Sequence, residues 1–290
     1  MPYGDLEAMR VQRFATQADI DAAAPTVEER EEYELPVAMG VLTYAGVDYS
    51  AIVGLAASEC DVLVWDGGNN DTPFVWPDLH LTVVDALRPA DGTTWHPGEV
   101  NLRRADVVVL NKVGSATAAA VAEAEAGIEA CNPGALVVRA DVEVVLDDGA
   151  DLRGAPVVVV EDGPTTTHGG MPSGAGLVAA RAAGAEVVDP RPFAHGTIAG
   201  LYRDFPHLGP VLPAMGYSPA QLADLEATLR AAPCHAVVCG SPVDLARLVD
   251  LPVPIRRVRY DVVAPLVDVL APFVAAWDRG ERTGAAAAHE

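Results

Sequence analysis

The chain has 290 residues, 50% of them hydrophobic, and it carries a formal net charge of −22. This length and apolar content suffice for one large or two ordinary domains and argue against global disorder. The acidic balance argues against nucleic-acid binding, because phosphates require a basic surface. The N-terminus has no secretory pattern and no apolar run is long enough to span a membrane, so we expect a cytoplasmic protein.

Short β-branched runs alternate along the chain with alanine-rich stretches of helical period. The runs predict strands over 41–44, 62–65, 81–84, 107–110, 136–138, 157–160, 186–188, 236–239 and 257–260. The stretches between them predict helices over 47–59, 117–130, 176–183, 219–231, 242–249 and 262–277. The strands are apolar on both faces, so the pattern predicts an α/β fold with a doubly wound, mostly parallel sheet.

The first chemical motif is VLVWDGGNND, in which Asp66 follows a predicted strand and precedes Gly67 and Gly68. In P-loop nucleoside triphosphatases an acid at such a strand end holds Mg²⁺, and a glycine turn approaches the γ-phosphate. Asp, Gly and Asn are also common turn residues, so an ordinary strand-end turn is the alternative interpretation.

The second motif is Asn111-Lys112, which directly follows the predicted strand over 107–110. Many GTPases carry Asn-Lys-x-Asp at such a position, where Asn and Lys shape the base pocket and Asp reads guanine. Lys112 is the only lysine of the chain, and Gly114 stands where that Asp is expected. The motif therefore indicates a nucleotide site but leaves the base undecided.

The third motif is EDGPTTTHGGMPSGAG, a glycine-rich loop that leads from a strand into a helix. Backbone N–H groups beside a helix N-terminus can bind an anion, which makes Gly170 and Gly174 candidate phosphate contacts. His168 is a candidate proton donor near neutral pH. A glycine-rich crossover with a capping histidine is the alternative.

The fourth motif is WHPGEVNLRRAD, which contains Arg103 and Arg104. In so acidic a chain, adjacent arginines are a reasonable place for a polyphosphate to bind. Surface ion pairs explain the same pattern nearly as well.

These motifs resemble cyclic 2,3-diphosphoglycerate synthetase and its GTPase-like relatives, as do the runs MPYGDLEAMRVQRFAT, PDLHLTVVDALRP and HPGEVNLRRADVVVLNKV. Members of that family carry a further N-terminal domain and a P-loop, whereas no Gly-x-x-x-x-Gly-Lys-Ser/Thr occurs in this sequence. The resemblance therefore implies a P-loop NTPase-like fold that is truncated at its N-terminus. We expect the remainder of the NTPase-like domain over 1–150, a C-terminal α/β region over 151–278, which could share the same sheet, and a flexible tail over 279–290.

The resemblance implies an ATP-dependent ligase that closes 2,3-diphosphoglycerate into a cyclic phosphoanhydride, with Mg²⁺ as cofactor and GTP as an alternative co-substrate. By that comparison Asp66 holds Mg²⁺, Gly67 and Gly68 lie near the γ-phosphate, and Asn111 and Lys112 line the nucleotide site. His168, Gly170 and Gly174, together with Arg103 or Arg104, are expected to contact the phosphorylated acid.

Two other functions stay open from the sequence. One is a GTPase or ATPase coupled to a partner protein, and the other is a non-catalytic, truncated remnant. The expected partners are a nucleotide and a small phosphorylated acid, without nucleic acid or membrane, and a homodimer is left open. The acidic, lysine-poor composition is compatible with a halophilic, high-salt cytoplasm.

Overall fold

A computed structural model describes residues 5–25, 27–68, 71–147, 150–214 and 218–281. The strands are β1 Gln12–Phe14, β2 Thr43–Ala45, β3 Leu81–Asp85, β4 Val107–Asn111, β5 Leu136–Arg139, β6 Asp141–Leu146, β7 Pro156–Asp162, β8 Glu186–Val187, β9 Leu212–Ala214, β10 Ala236–Cys239 and β11 Ile255–Val263. The helices are α1 Gln17–Ala23, α2 Val27–Ala38, α3 Tyr49–Glu59, α4 Asp91–Thr94, α5 Gly98–Arg104, α6 Ala118–Cys131, α7 Gly163–Thr166, α8 Ala175–Ala182, α9 Gly196–Asp204, α10 Pro219–Ala231 and α11 Leu266–Asp278.

The chain divides into two compact units. The first unit comprises Met1–Val47 and Val144–Tyr260, and the second comprises Asp48–Glu143 and Asp261–Glu290. The boundary near residue 150 remains a prediction about independent domains, and most of the tail expected over 279–290 lies outside the described residues.

The sheet of the first unit has the strand order β6-β11-β10-β7-β8, and β9 pairs with β7. The β7 pairings with β8, β9 and β10, and that of β10 with β11, are parallel. Alternate residues of β7 point to opposite faces, as in any strand. Val158 and Val160 pack in a core with helix α10, while Val157 and Val159 join a second core against α8.

The sheet of the second unit consists, among the described residues, of β3, β4 and β5 in parallel. Its two faces are also covered by helices. Leu110 packs with Ile128 of α6 on one face, and Val109 packs with Phe273 of α11 on the other. The prediction of a mostly parallel α/β fold with helices on both sheet faces is therefore confirmed.

The strand predicted over 62–65 is wrong. The segment is irregular and exposed, and Val64 within it is 80% exposed. A strand that is apolar on both faces needs hydrogen-bonding neighbours and covering helices, and no described strand pairs with this segment. Instead, Trp65 clusters with Tyr49 and Phe74, with ring centroids 4.7 to 5.8 Å apart.

None of the helices in the described ranges is both long and apolar enough to traverse a bilayer.

Candidate functional site

Polar side chains gather where the parallel strands of the second unit end. The register pairs Asp85 at the end of β3 with Asn111 at the end of β4, and Arg139 ends β5 alongside them. Ligands of open α/β sheets bind at the carboxyl ends of the strands. The edge that carries Asn111 is therefore the strongest candidate for a ligand site in this unit.

Lys112 is held at this edge by its side chain and its backbone. Its Nζ lies 2.7 Å from Asp85 Oδ2, and its N–H donates to Asn111 Oδ1 over 2.9 Å. Its φ of +63° lies in the left-handed region, which costs a residue with a side chain of the order of 1 kcal/mol. Such strain is typical of positions where the surrounding structure must place a side chain at a site. The structure thus brings Asn111 and Lys112 together, and it adds Asp85.

Asp66 and the two glycines after it are exposed and continue the same irregular segment. The Gly68 N–H donates to the Asp71 carboxylate over 3.1 Å, while Asn69 and Asn70 lie outside the described residues. Asp66 therefore does not end a strand as predicted.

Whether Asp66 fits Mg²⁺ depends on which other groups supply ligands to the ion. Within the described ranges, no three His, Cys, Asp or Glu side chains converge as a metal site would require. In nucleotide sites, however, Mg²⁺ takes one or two carboxylates and fills its remaining positions with phosphate oxygens and water. Asp66, as a single exposed carboxylate, fits that mode of binding.

Arg103 and Arg104 lie at the opposite end of β4 from Asn111 and Lys112. They end α5, just before the strand begins, and a strand of this length spans about 16 Å. Arg103 pairs with Glu99 one turn earlier in the helix, and the Arg104 guanidinium lies 4.8 Å from the Trp76 ring centroid. The structure does not bring either arginine to Asn111 and Lys112. Arg103 makes the ion pair that was the alternative interpretation, whereas Arg104 contacts an aromatic ring.

The glycine-rich loop of the first unit surrounds a buried carboxylate of the protein itself. Glu161, only 1% exposed, accepts hydrogen bonds from the N–H groups of Gly174, Gly176 and Leu177 over 2.8 to 3.0 Å. Gly174, at the start of α8, is one of the two glycines whose N–H groups were predicted to contact a phosphate. In this conformation an internal anion already occupies the helix N-terminus, where the helix dipole favours negative charge.

Close approach to Glu161 also explains the glycines of the loop. A Cβ on Gly174 would lie 2.8 Å from Glu161 Oε2, and one on Gly176 would lie 2.8 Å from Val159 Cγ1. A side chain at either position would force the loop, Glu161 or Val159 to shift. The glycine pattern that predicted a phosphate cradle therefore has a sufficient cause inside the fold.

Burial raises the pKa of the Glu161 carboxyl group, and the three N–H donors oppose that effect without cancelling it. A buried carboxylate that receives several hydrogen bonds but no cation is compensated in part only. Glu161 therefore fixes the loop while remaining sensitive to protonation.

His168 and Gly170 lie on the outer side of the same loop. His168 is exposed, and its Nδ1 lies 3.1 Å from Thr167 Oγ1. Gly170 has a φ of +65° and donates its N–H to the Thr167 carbonyl, so it serves a turn. The ring centroids of Phe205 and His168 lie 6.5 Å apart. His168 remains accessible to a substrate, whereas Gly174 has its N–H engaged.

Sequence reasoning assigned no role to two residues that the structure makes prominent. Asp85 ends the run LTVVD, and a polar residue after an apolar strand was the signal that could have identified it. Glu161 follows the apolar run of β7 in the same way, but only the folded structure shows that its carboxylate lies against the first turn of α8.

Comparison with known proteins gives one informative relative. No protein-family model matches the chain. A protein of Thermococcus kodakarensis named arginine synthetase ArcE is 48% identical over 263 residues, which are 90% of this chain. The chain spans 59% of the length of that relative. Identity of this extent shows that the two proteins are homologous.

This finding corrects the function expected from the sequence. The relative is named for the synthesis of arginine, not for the cyclisation of 2,3-diphosphoglycerate. The prediction that this chain closes 2,3-diphosphoglycerate into a ring is therefore wrong. The motifs that supported it describe a shared sequence pattern and did not identify the substrate.

Proposed function

We propose that this chain works as a ligase in the nucleotide-driven synthesis of arginine. The observation that carries the proposal is the 48% identity to arginine synthetase ArcE over 263 residues. The polar edge of the second unit supports it, because Asn111, Lys112 and Asp85 lie at a strand edge where α/β folds bind ligands.

The chemistry of the product explains why a nucleotide is needed. The guanidino carbon of arginine bears three nitrogens, so a ureido precursor must exchange its oxygen for a nitrogen. Oxygen leaves poorly from a ureido carbon unless the γ-phosphoryl group of the nucleotide is first transferred to that oxygen, which releases the nucleoside diphosphate. Ammonia then displaces phosphate and loses a proton to give the guanidino group. Such phosphoryl transfer depends mainly on positioning and charge neutralisation.

The residues of the second unit divide this work among them. Lys112, held by Asp85, offers a fixed positive charge to the nucleotide, and Asn111 orders the backbone that carries it. Asp66 is the exposed carboxylate available to Mg²⁺, which when bound would neutralise phosphate charge, and the exposed Gly67 and Gly68 follow it in the chain. ATP is the proposed co-substrate, with GTP as the alternative.

The proposal is tested by incubating the 290-residue chain with citrulline, ¹⁵N-ammonia, Mg²⁺ and either ATP or GTP. We expect nucleotide-dependent formation of arginine that is heavier by one mass unit in the mass spectrum. A parallel incubation with 2,3-diphosphoglycerate in place of citrulline should give no cyclic product. Hydrolysis of nucleotide without labelled arginine, or no turnover of any kind, would contradict the proposal for this chain.

A matched pair of variants links that activity to the candidate site. Lys112→Met removes the cation at the sheet edge and should lower kcat/KM by about 100-fold or more, as the loss of a group that stabilises developing charge does. Arg153→Met removes a cation whose side chain is 81% exposed, and it should leave kcat/KM unchanged. Equal losses of kcat/KM in the two variants would show that Lys112 acts only through the net charge of the protein.

A further inference from the structure

The loop that follows β4 lies against Ala140, the residue that joins β5 to β6. The Val113 N–H donates to the Ala140 carbonyl over 3.2 Å, which fixes the two segments side by side. Gly114 is thereby placed next to Asp141, the first residue of β6. These two residues are distant in sequence but adjacent at the candidate nucleotide site.

The absence of a side chain at Gly114 is explained by its neighbour rather than by its backbone. Gly114 does not adopt a left-handed φ, so its conformation suits any residue. A Cβ built on it would overlap Asp141 Oδ2 and lie 3.1 Å from Asp141 Cγ. The carboxylate of Asp141 therefore fills the space into which a side chain at 114 would extend.

Among the described residues, only one oxygen of Asp141 accepts a hydrogen bond. Its Oδ1 accepts the Val142 N–H over 2.9 Å, while Oδ2 is the atom directed at Gly114. Lys112 has Asp85 as its ion-pair partner. An acceptor oxygen thus stands beside the Asn111-Lys112 loop, on a carboxyl group that is only partly exposed.

We propose that Asp141 reads the base of the bound nucleotide, supplying from the start of β6 the carboxylate that Asn-Lys-x-Asp proteins carry at the position of Gly114. The inference rests on the nucleotide binding proposed above. Its ligand is a purine nucleotide whose base edge offers N–H donors, either the N6 amino group of adenine or the N1–H and N2 amino groups of guanine. Hydrogen bonds to a charged acceptor discriminate strongly between bases that offer a donor and those that do not.

The first test is calorimetric binding of ATP and of GTP to the full 290-residue chain and to Asp141→Asn, each with Mg²⁺. We expect the better-bound nucleotide to lose about 10- to 100-fold in affinity, which corresponds to a hydrogen bond to a charged group. Glu129→Gln, which removes one exposed carboxylate from α6 of the same unit, should bind as the unchanged chain does. A larger loss for GTP assigns guanine as the base, and a larger loss for ATP assigns adenine.

The second test moves the carboxylate between the two positions. Gly114→Asp alone should fail to bind or fold normally, because its side chain would overlap Asp141. The double variant Gly114→Asp with Asp141→Ala should recover most of the affinity that Asp141→Ala loses. A protein that merely needs Asp141 for stability would not regain nucleotide affinity through a carboxylate on another segment.

Three results would overturn the inference. They are equal affinity of Asp141→Asn and the unchanged chain, an equal loss in Glu129→Gln, and a double variant that unfolds cooperatively yet recovers no affinity. If nucleotide binds and arginine forms while Asp141→Asn has no effect, the proposed function stands and only this inference fails. If the unchanged chain binds no nucleotide, both fail.

Discussion

The Glu161 side chain holds the glycine-rich loop in place through hydrogen bonds to its backbone. Its carboxylate lies under the first turn of α8 and accepts three backbone hydrogen bonds there. Gly240, at the end of β10, approaches the same group so closely that a Cβ on it would lie 2.6 Å from Glu161 Oε2. The carboxylate of β7 therefore contacts both the start of α8 and the residue that follows β10.

Replacement of Glu161 by alanine should be strongly destabilising. Two buried N–H groups and the half-buried one of Gly174 would lose their acceptor at once. Each loss at a buried group costs about 1 to 3 kcal/mol, offset in part by removal of a poorly solvated charge. We expect the free energy of unfolding to fall by about 3 kcal/mol in urea titrations followed by circular dichroism. Glu186→Ala, on an exposed position of β8, is the control and should change it by less than about 0.5 kcal/mol. Equal stability of both variants would rule out a structural role for the carboxylate.

The raised pKa of Glu161 predicts a pH dependence of stability. The folded state favours the protonated form of Glu161. The stability that this preference adds is therefore complete below the ordinary pKa of 4.5, and it is lost as pH rises through the higher pKa of the folded state. Glu161→Gln cannot ionise and lacks this dependence. The unfolding free energy of the unchanged chain minus that of Glu161→Gln should therefore decrease from pH 4.5 towards neutrality. A difference that stays constant or grows would mean that the three N–H donors outweigh burial.

At the scale of elements, local chemistry accounts well for where helices begin. Ser218 caps α10 by accepting the Gln221 N–H, and the Gln221 side chain accepts from Ser218 in return. Leu225 and Leu229 then carry the buried face of that helix into the core. The sequence predicted this helix over 219–231 with the bounds that the structure shows.

Removal of the cap gives a prediction for this element. Ser218→Ala should lower the free energy of unfolding by about 1 kcal/mol, because the first-turn N–H groups lose their acceptor. Urea titration measures the change. Ser58→Ala serves as the control, since that hydroxyl donates to a carbonyl inside the exposed part of α3 and its loss should cost little. If Ser218→Ala lowered the free energy of unfolding no more than Ser58→Ala does, packing alone would account for the stability of α10.

Other elements depended on neighbours that no local pattern reveals. The segment 62–65 has strand composition but no described strand beside it, so it stays irregular. β9 was not predicted, because its three residues become a strand only by pairing with the end of β7. The helix predicted over 242–249 is reduced to the 3₁₀ turn Leu245–Arg247. Strand pairing is a tertiary property, and short elements follow it more than they follow propensity.

At the scale of the whole molecule, the charge balance predicts a response to salt. The chain has 41 acidic against 19 basic residues, and this excess repels itself in the folded state. Raising KCl from about 0.1 M to about 1 M shortens the screening length from about 10 Å to about 3 Å. We expect Tm to rise over that range in scanning calorimetry, because exposed ion pairs such as Arg153–Asp151 contribute too little to reverse the trend. A Tm that falls steadily with KCl would show that ion pairs dominate.

The sequence by itself determined the fold class and one part of the candidate site. Apolar runs of strand length between helical stretches require a parallel sheet covered on both faces, and they place Asn111 and Lys112 at a carboxyl edge. Only the tertiary structure decided which groups contact one another. At the candidate site Lys112 pairs with Asp85, and the Asp141 carboxylate fills the space beside Gly114. In the first unit the loop amides donate to Glu161, and the two arginines lie at the other end of β4 from Lys112. Periodicity reports which face of an element is buried, whereas side-chain partners depend on strand order and register, which contacts between distant segments establish.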